Sequence, residues 1–188
     1  MTYPITTTLK KLRENHACFT GYNKLVCTLS GKEYSKHKTS YERFKHEKDI
    51  PLTCILESNG LDDALWALRA SNASDRDMRL FAVWCARQVQ HLMTDQRSLD
   101  ALDVAERFAN GKATQEELDA ARVAAWTVAE SATWDATWDA TRAATRAAAR
   151  DVAESATWAA TRVAGYDANA VQKDMFIKMC NGVAPWQS

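Results

Sequence analysis

An all-α protein, a helical bundle carrying one unusually long Ala-rich segment, is what this sequence predicts, and three observations predict it. Gly and Pro are scarce, at 6 and 3 of 188 residues, while Ala, Leu, Arg, Glu and Asp dominate the second half, a composition that favours helix over strand. Apolar residues recur at i, i+3 and i+4 through most of the first 110 positions, the mark of amphipathic helices. From Ala124 to Ala168 the chain repeats every four residues, with small residues in two columns beside a ladder of large ones. An α-helix turns about 100° per residue, so such a column drifts by about 40° per step and circles the helix. No single flat partner covers it, and the segment must break or meet different neighbours along its length.

The elements follow in order. Thr6 to Thr8 offer an N-cap for a helix over Leu9 to Asn15, and Phe19, Tyr22, Leu25, Val26 and Leu29 form a second that Gly31 stops. Lys32 to Lys48 is an exposed basic insertion, with Tyr34, His37, Tyr41, Phe44 and His46 interleaved among its Lys and Arg. Pro51 marks a boundary and suits a helix start, so Leu52 to Glu57 is expected to be helical. Asn59-Gly60 ends it, and a new helix over Leu61 to Arg69 presents Leu61, Ala64, Leu65 and Leu68. Ser71 to Asp75 supplies caps. The helix expected over Asp77 to Met93 carries Leu80, Phe81, Trp84, Cys85, Val89 and Leu92 on its core side. Another spans Asp95 to Phe108, with Leu99, Leu102, Ala105 and Phe108 inward and Asp103 paired to Arg107 at i, i+4, before Asn110-Gly111 closes it.

The long segment opens at a capping box, Thr114 to Glu117. No Gly or Pro interrupts it until Gly165. As one straight rod it would run about 76 Å at 1.5 Å per residue, against a span of roughly 40 Å for a compact domain of this size. The heptapeptide Val-Ala-Glu-Ser-Ala-Thr-Trp occurs at 128 to 134 and again at 152 to 158. On an unbroken helix the two copies would face directions about 120° apart, so a break or kink is expected between Arg146 and Asp151. A last helix, Asp167 to Cys180, carries Val171, Met175, Ile177 and Met179, and Gly182 to Ser188 is expected to fray. The domain reading is an N-terminal helical region, 1–113, with its basic insertion at 32–48, and repeat helices with the C-terminal helix over 114–188. The two pack as one domain or leave the long helix projecting.

Charge and cysteine usage bound the function. Lys plus Arg and Asp plus Glu balance at 24 each, so net charge does not draw the whole chain to nucleic acid or anionic membrane. Five scattered cysteines without a C-x-x-C pair, and a polar start from Met1 to Lys10, fit free thiols in a reducing, cytoplasmic setting. No apolar run approaches a membrane span. His16, His37, His46 and His91 form no ligand pattern, and no phosphate loop, nucleophile elbow or His-Glu-x-x-His is present, so neither metal, cofactor nor catalysis is expected. Asp62, Asp63, Asp75 and Asp77 sit near helix N-termini, where the dipole and capping account for them.

The candidate partner-binding residues are the ladder: Trp134, Trp138, Arg142, Arg146, Arg150, Trp158 and Arg162. Trp138 with Arg142, and Trp158 with Arg162, stand at i, i+4 and suit cation–π pairing. Trp and Arg are enriched at binding hot spots, while the same Trp side chains could instead fill gaps between Ala-lined helices. The small-residue columns, Ala132, Ala136, Ala140 and Ala144 among them, are expected to be the most buried surface of the segment. An alternative is nucleic-acid binding through Lys36, Lys38, Arg43 and Lys45, with the Arg of the ladder, since basic and aromatic residues together suit phosphates and bases. Self-association through the ladder is a third.

Leu61-Asp62-Asp63-Ala64-Leu65-Trp66-Ala67-Leu68-Arg69, the run Asp77-Met78-Arg79-Leu80-Phe81-Ala82, and the stretch from Gln90 to Glu117 resemble a family of bacteriophage and bacterial proteins described as immunity proteins. Its members likewise end in Ala-rich repeats bearing Trp and Arg. The resemblance covers about residues 50 to 165, and the basic segment at 32–48 is not part of it. It implies a small cytoplasmic, non-enzymatic protein of phage or prophage type that acts by binding another protein, a bacterial toxin or a defence component, anti-CRISPR action included. It brings no catalytic residues.

Overall fold

Thr8 begins the first helix as the sequence predicts: its hydroxyl accepts from the Lys11 N–H, and α1 spans Leu9–Glu14. The computed structural model describes residues 3–35, 40–93, 95–131 and 166–187. Within them lie eight α-helices, two 3-10 turns and one two-residue strand pairing, which makes the protein an all-α helical bundle. The expected break at 146–151, the ladder residues and the columns from Ala132 to Ala144 lie outside the described residues. The chain divides into two compact units, Met1–Ala73 with Cys180–Gly182, and Ser74–Met179 with Val183–Ser188.

The first unit contains α1, α2 (Phe19–Ser30), α3 (Leu52–Asn59), α4 (Leu61–Ala67) and a 3-10 turn at Leu68–Ala70. Thr6 and Thr7 do more than precede a cap. They pair antiparallel with Ile50 and Pro51, Thr6 facing Pro51 and Thr7 facing Ile50. The Ile5 N–H donates to the Cys180 carbonyl at 2.8 Å, the Leu52 N–H to Ile5 at 3.1 Å, and the Thr7 hydroxyl to Ala70 at 2.5 Å. A buried extended segment must place its backbone groups somewhere, and here Cys180, Leu52 and Asn72 take those of Ile5 and Thr6. Ile5, Leu9, Tyr22, Leu25, Leu52 and Leu65 fill the interior beneath. Leu61, Ala64, Leu65 and Leu68 are all buried, as their spacing predicts.

The second unit contains α5 (Asp75–Arg87), α6 (Gln96–Ala109), α7 (Gln115–Ser131) and nearly all of α8 (Tyr166–Cys180). Helix α5 packs on α6 and α6 on α7. Phe81 meets Phe176 edge-on with centroids 6.0 Å apart, and the Arg79 guanidinium lies 4.9 Å from the Phe108 ring centre. Ala101, Leu102, Ala105 and Ala125 have no exposed surface. The capping box at α7 is present in both directions: Thr114 Oγ1 accepts from the Glu117 N–H at 3.2 Å, and Glu117 accepts from the Thr114 N–H at 2.7 Å.

Four expectations are corrected. The helix read as reaching Met93 ends at Arg87; Gln88 and Val89 donate in i−3 fashion, and a 3-10 turn at Gln90–Leu92 lets both Val89 and Met93 be buried. Asp103 does not pair with Arg107. Its carboxylate receives Arg87 Nη2 from α5 at 2.8 Å, while Arg107 reaches Glu117 at 3.0 Å, because packing offers each a partner on another helix. On α8, Val171 and Ile177 face outward; the buried stripe is Gln172, Met175, Phe176, Met179 and Cys180, at i, i+3, i+4, i+7 and i+8. Finally, the tail does not fray over its described residues, through Gln187. Ala184 is buried, Trp186 Nε1 donates to Asp77 at 3.2 Å, and the Trp186 carbonyl accepts from Arg76 at 2.8 Å.

Candidate functional site

Three helices of the first unit approach one another at Gly21, and the approach leaves a cleft. Cys18 caps α2, its thiol accepting from the Gly21 N–H at 3.3 Å. A Cβ added at Gly21 would lie 2.6 Å from Asp63 Oδ2, so only glycine allows α4 this close. Asn59, the last residue of α3, ties the three together: its Nδ2 donates to the Gly21 carbonyl at 2.8 Å and to Asp63 Oδ2 at 2.7 Å. The Ser58 hydroxyl donates to Asn59 Oδ1 at 2.7 Å and fixes which way the amide points. Beside this knot opens a cleft of about 330 Å³, floored by Leu12, Leu25 and Ile55, with His16, Asp62 and Trp66 on its walls.

Each wall residue is placed by local structure. Asp62 stands exposed in the first turn of α4, and Trp66 lies one turn further on, half-buried, with the Arg69 guanidinium 5.2 Å from its ring centre. His16 is the unusual one. Four helices among the described residues close with the same backbone bond, in which the second residue beyond the cap donates to a carbonyl five residues back: Ala17 to Leu12, Lys32 to Cys27, Lys112 to Arg107 and Val183 to Lys178. That closure puts the intervening residue in the left-handed region. It is glycine three times, Gly31, Gly111 and Gly182, with φ of 67°, 69° and 76°; after α1 it is His16, at 61°. A side chain there costs about 1 kcal/mol that glycine avoids, and of the four positions His16 alone lines the cleft.

Several polar groups at the cleft are engaged in holding its shape. Asn59 and Asp63 hold the walls, Cys18 caps a helix, and the Tyr22 hydroxyl receives Arg13 Nη1. The carboxylates of Asp62 and Asp63 at an apolar, aromatic cleft suit a ligand that is greasy in the middle and positively charged at one end. Among the described residues no group of three or more His, Cys, Asp or Glu could hold a metal ion. None of the five cysteines is in a disulfide. No helix among the described residues is long and apolar enough to cross a membrane.

Of the residues singled out from sequence, Trp134, Trp138, Arg142, Arg146, Arg150, Trp158 and Arg162 lie outside the described residues, as do Lys36 and Lys38. Arg43 and Lys45 are described and exposed, in the first unit but away from the cleft lining. Sequence reasoning missed the cleft. Asp62 and Asp63 read as helix-start acids, and His16 as one of four histidines that form no ligand pattern. The signal that could have found it is a helix stop without a glycine at 16. No family model, curated protein or solved structure matches the chain.

Proposed function

We propose that the protein acts without catalysis, by stoichiometric binding of another protein, in the immunity or anti-defence manner that the resemblance implies, and that the first-unit cleft receives a basic side chain of that partner. The observation that carries the reading is the strained His16 on the wall of a preformed cleft with acidic groups at its rim. Side chains held in costly backbone conformations cluster at binding sites, where surrounding structure sustains them. Trp66 adds the aromatic face that such sites use. A cytoplasmic setting and a phage origin belong to the same proposal, supported by cysteine usage and by the residues that carry the resemblance. The Trp and Arg ladder is the competing contact surface within this reading.

The test is an affinity capture from a bacterial host with three baits of equal helicity and melting temperature. These are the wild type, a cleft variant (Asp62→Lys with Trp66→Ala), and a ladder variant with Trp134, Trp138, Arg142 and Arg146 all changed to Ala. A single protein recovered in near-equal molar amount by the wild type and the ladder variant, and lost with the cleft variant, is the expected result. A partner retained by the cleft variant and lost by the ladder variant moves the contact to the repeats. Recovery of no protein at stoichiometric yield overturns the reading.

A further inference from the structure

The first unit carries a second concave surface, lined by cations where the cleft has carboxylates. Two adjoining depressions of about 450 and 550 Å³ share Arg13, Phe44 and Lys45. Between them they bring Lys10 and Arg13 of α1 together with Arg43 and Lys45 of the basic segment, residues that lie 30 to 35 positions apart in sequence. Glu42 and Glu47 also line them, so four cations face two carboxylates. The rings of Phe44 and His46 are stacked at its edge, 5.8 Å between centroids and 15° from parallel.

The segment that supplies these groups is anchored. Asn23 on α2 clamps it, donating to the Ser40 carbonyl at 2.8 Å and accepting from the Glu42 N–H at 2.7 Å. The Tyr41 hydroxyl donates to the Ala17 carbonyl at 2.6 Å, and its ring packs edge-on against Phe19 and Tyr22. The backbone that precedes the exposed charges is therefore pinned at Ser40, Tyr41 and Glu42. Lys10 pairs with Glu14 at 3.8 Å and Lys45 with Glu47 at 3.7 Å, both in open solvent, where such pairs contribute little and exchange readily. Among the described residues Arg43 has no ion-pair partner.

We propose that this groove binds a single strand of nucleic acid, the four cations taking its phosphates and the Phe44–His46 ring pair taking a base. Cations along a groove with an aromatic stacking platform are the two parts that single-strand recognition requires. A duplex keeps its bases stacked on one another and leaves the ring pair nothing to take. None of the four cations lines the cleft, and the two surfaces meet where Arg13 donates to the Tyr22 hydroxyl.

Fluorescence anisotropy of a labelled oligothymidine of about 12 nucleotides, within the site sizes such surfaces cover, tests it with the full chain at about 50 mM salt. Binding is expected, with log K falling against log salt at a slope of about −1.5 to −3, the value for two to four phosphates of a single strand. Phe44→Ala should weaken it about tenfold, and Arg43→Glu with Lys45→Glu should abolish it while the circular dichroism stays that of the wild type. Tighter binding of the single strand than of a duplex of equal length is also expected. No anisotropy rise at about 50 mM salt overturns the proposal. So does equal binding by the charge-reversed variant, and so does binding that Phe44→Ala leaves unchanged or that an acidic peptide competes for equally.

Discussion

Gly21→Ala probes the knot that shapes the cleft, and its effect can be worked from distances. The new Cβ would meet Asp63 Oδ2 at 2.6 Å, where ordinary contact begins at 3.4 Å, so the carboxylate must retreat by about 0.8 Å. Asn59 Nδ2 lies 2.7 Å from that oxygen. A retreat along the contact line stretches the bond towards about 3.5 Å, the edge of hydrogen bonding. A bond to a charged group contributes about 2 kcal/mol, and alanine in a helix returns up to about 1 kcal/mol over glycine. The net expectation is destabilisation by about 1 kcal/mol, read from urea denaturation with unchanged slope. The decisive comparison repeats the substitution in an Asp63→Ala background. There the Cys18 sulfur, 3.3 Å from the new Cβ, is the one close contact left and need yield only about 0.1 Å, so Gly21→Ala should stabilise by up to about 1 kcal/mol, a coupling near 2 kcal/mol. An equal effect in both backgrounds would refute the argument that Asp63 sets the approach of α4 to α2.

His16→Gly should stabilise the protein by about 0.5–1 kcal/mol in urea denaturation by relieving the left-handed side chain, yet weaken partner binding; a loss of stability would show that His16 is not strained. Asp77 is 1 % exposed and receives both Trp186 Nε1 and the Ser74 hydroxyl, so Asp77→Ala should cost about 2–3 kcal/mol, with Trp186→Phe costing about 1, checked by thermal denaturation. The Cys180 thiol is pushed up from 9.0 to about 12 by burial, and burial raises the Cys85 thiol in the same direction. The folded chain therefore keeps protons that the unfolded chain releases, so this stability is complete below about pH 9 and is lost as pH rises towards 12, by about 1.4 kcal/mol per pH unit per thiol. The stability difference between wild type and Cys180→Ala should accordingly shift by that slope between pH 9 and 11. A difference that does not change with pH would contradict it.

Local features were legible in the sequence and distant ones were not. Thr8, Ser74 and the Thr114–Glu117 box cap the helices they precede, and Asn59-Gly60 and Asn110-Gly111 end helices, because a cap or a left-handed stop is decided within five residues. The pairing of Thr6–Thr7 with Ile50–Pro51 was invisible, since two residues carry no period and the partner lies far along the chain. Arg87 reaching Asp103, and Trp186 reaching Asp77, depend on tertiary packing that no spacing rule contains. On α8 hydrophobicity misled: Val171 and Ile177 face solvent, while polar Gln172 is buried and hydrogen-bonds the Cys85 thiol. The candidate sites follow the same division. Arg43 and Lys45 stood out as part of a charged run, but their union with Lys10 and Arg13 required the fold. The cleft required it too, because its walls come from the turn after α1 and from α2, α3 and α4.

The most direct test of the binding account uses Cys18, which is exposed on the lining of the cleft. In a Cys54→Ser background, a photo-activated cross-linker attached to Cys18 is irradiated with the captured partner, and the adduct is mapped by mass spectrometry. One cross-linked partner peptide containing Lys or Arg is expected, lost when Asp62→Lys and Trp66→Ala are introduced. A bound partner that gives no adduct at Cys18, or an adduct that survives those two substitutions, would contradict it.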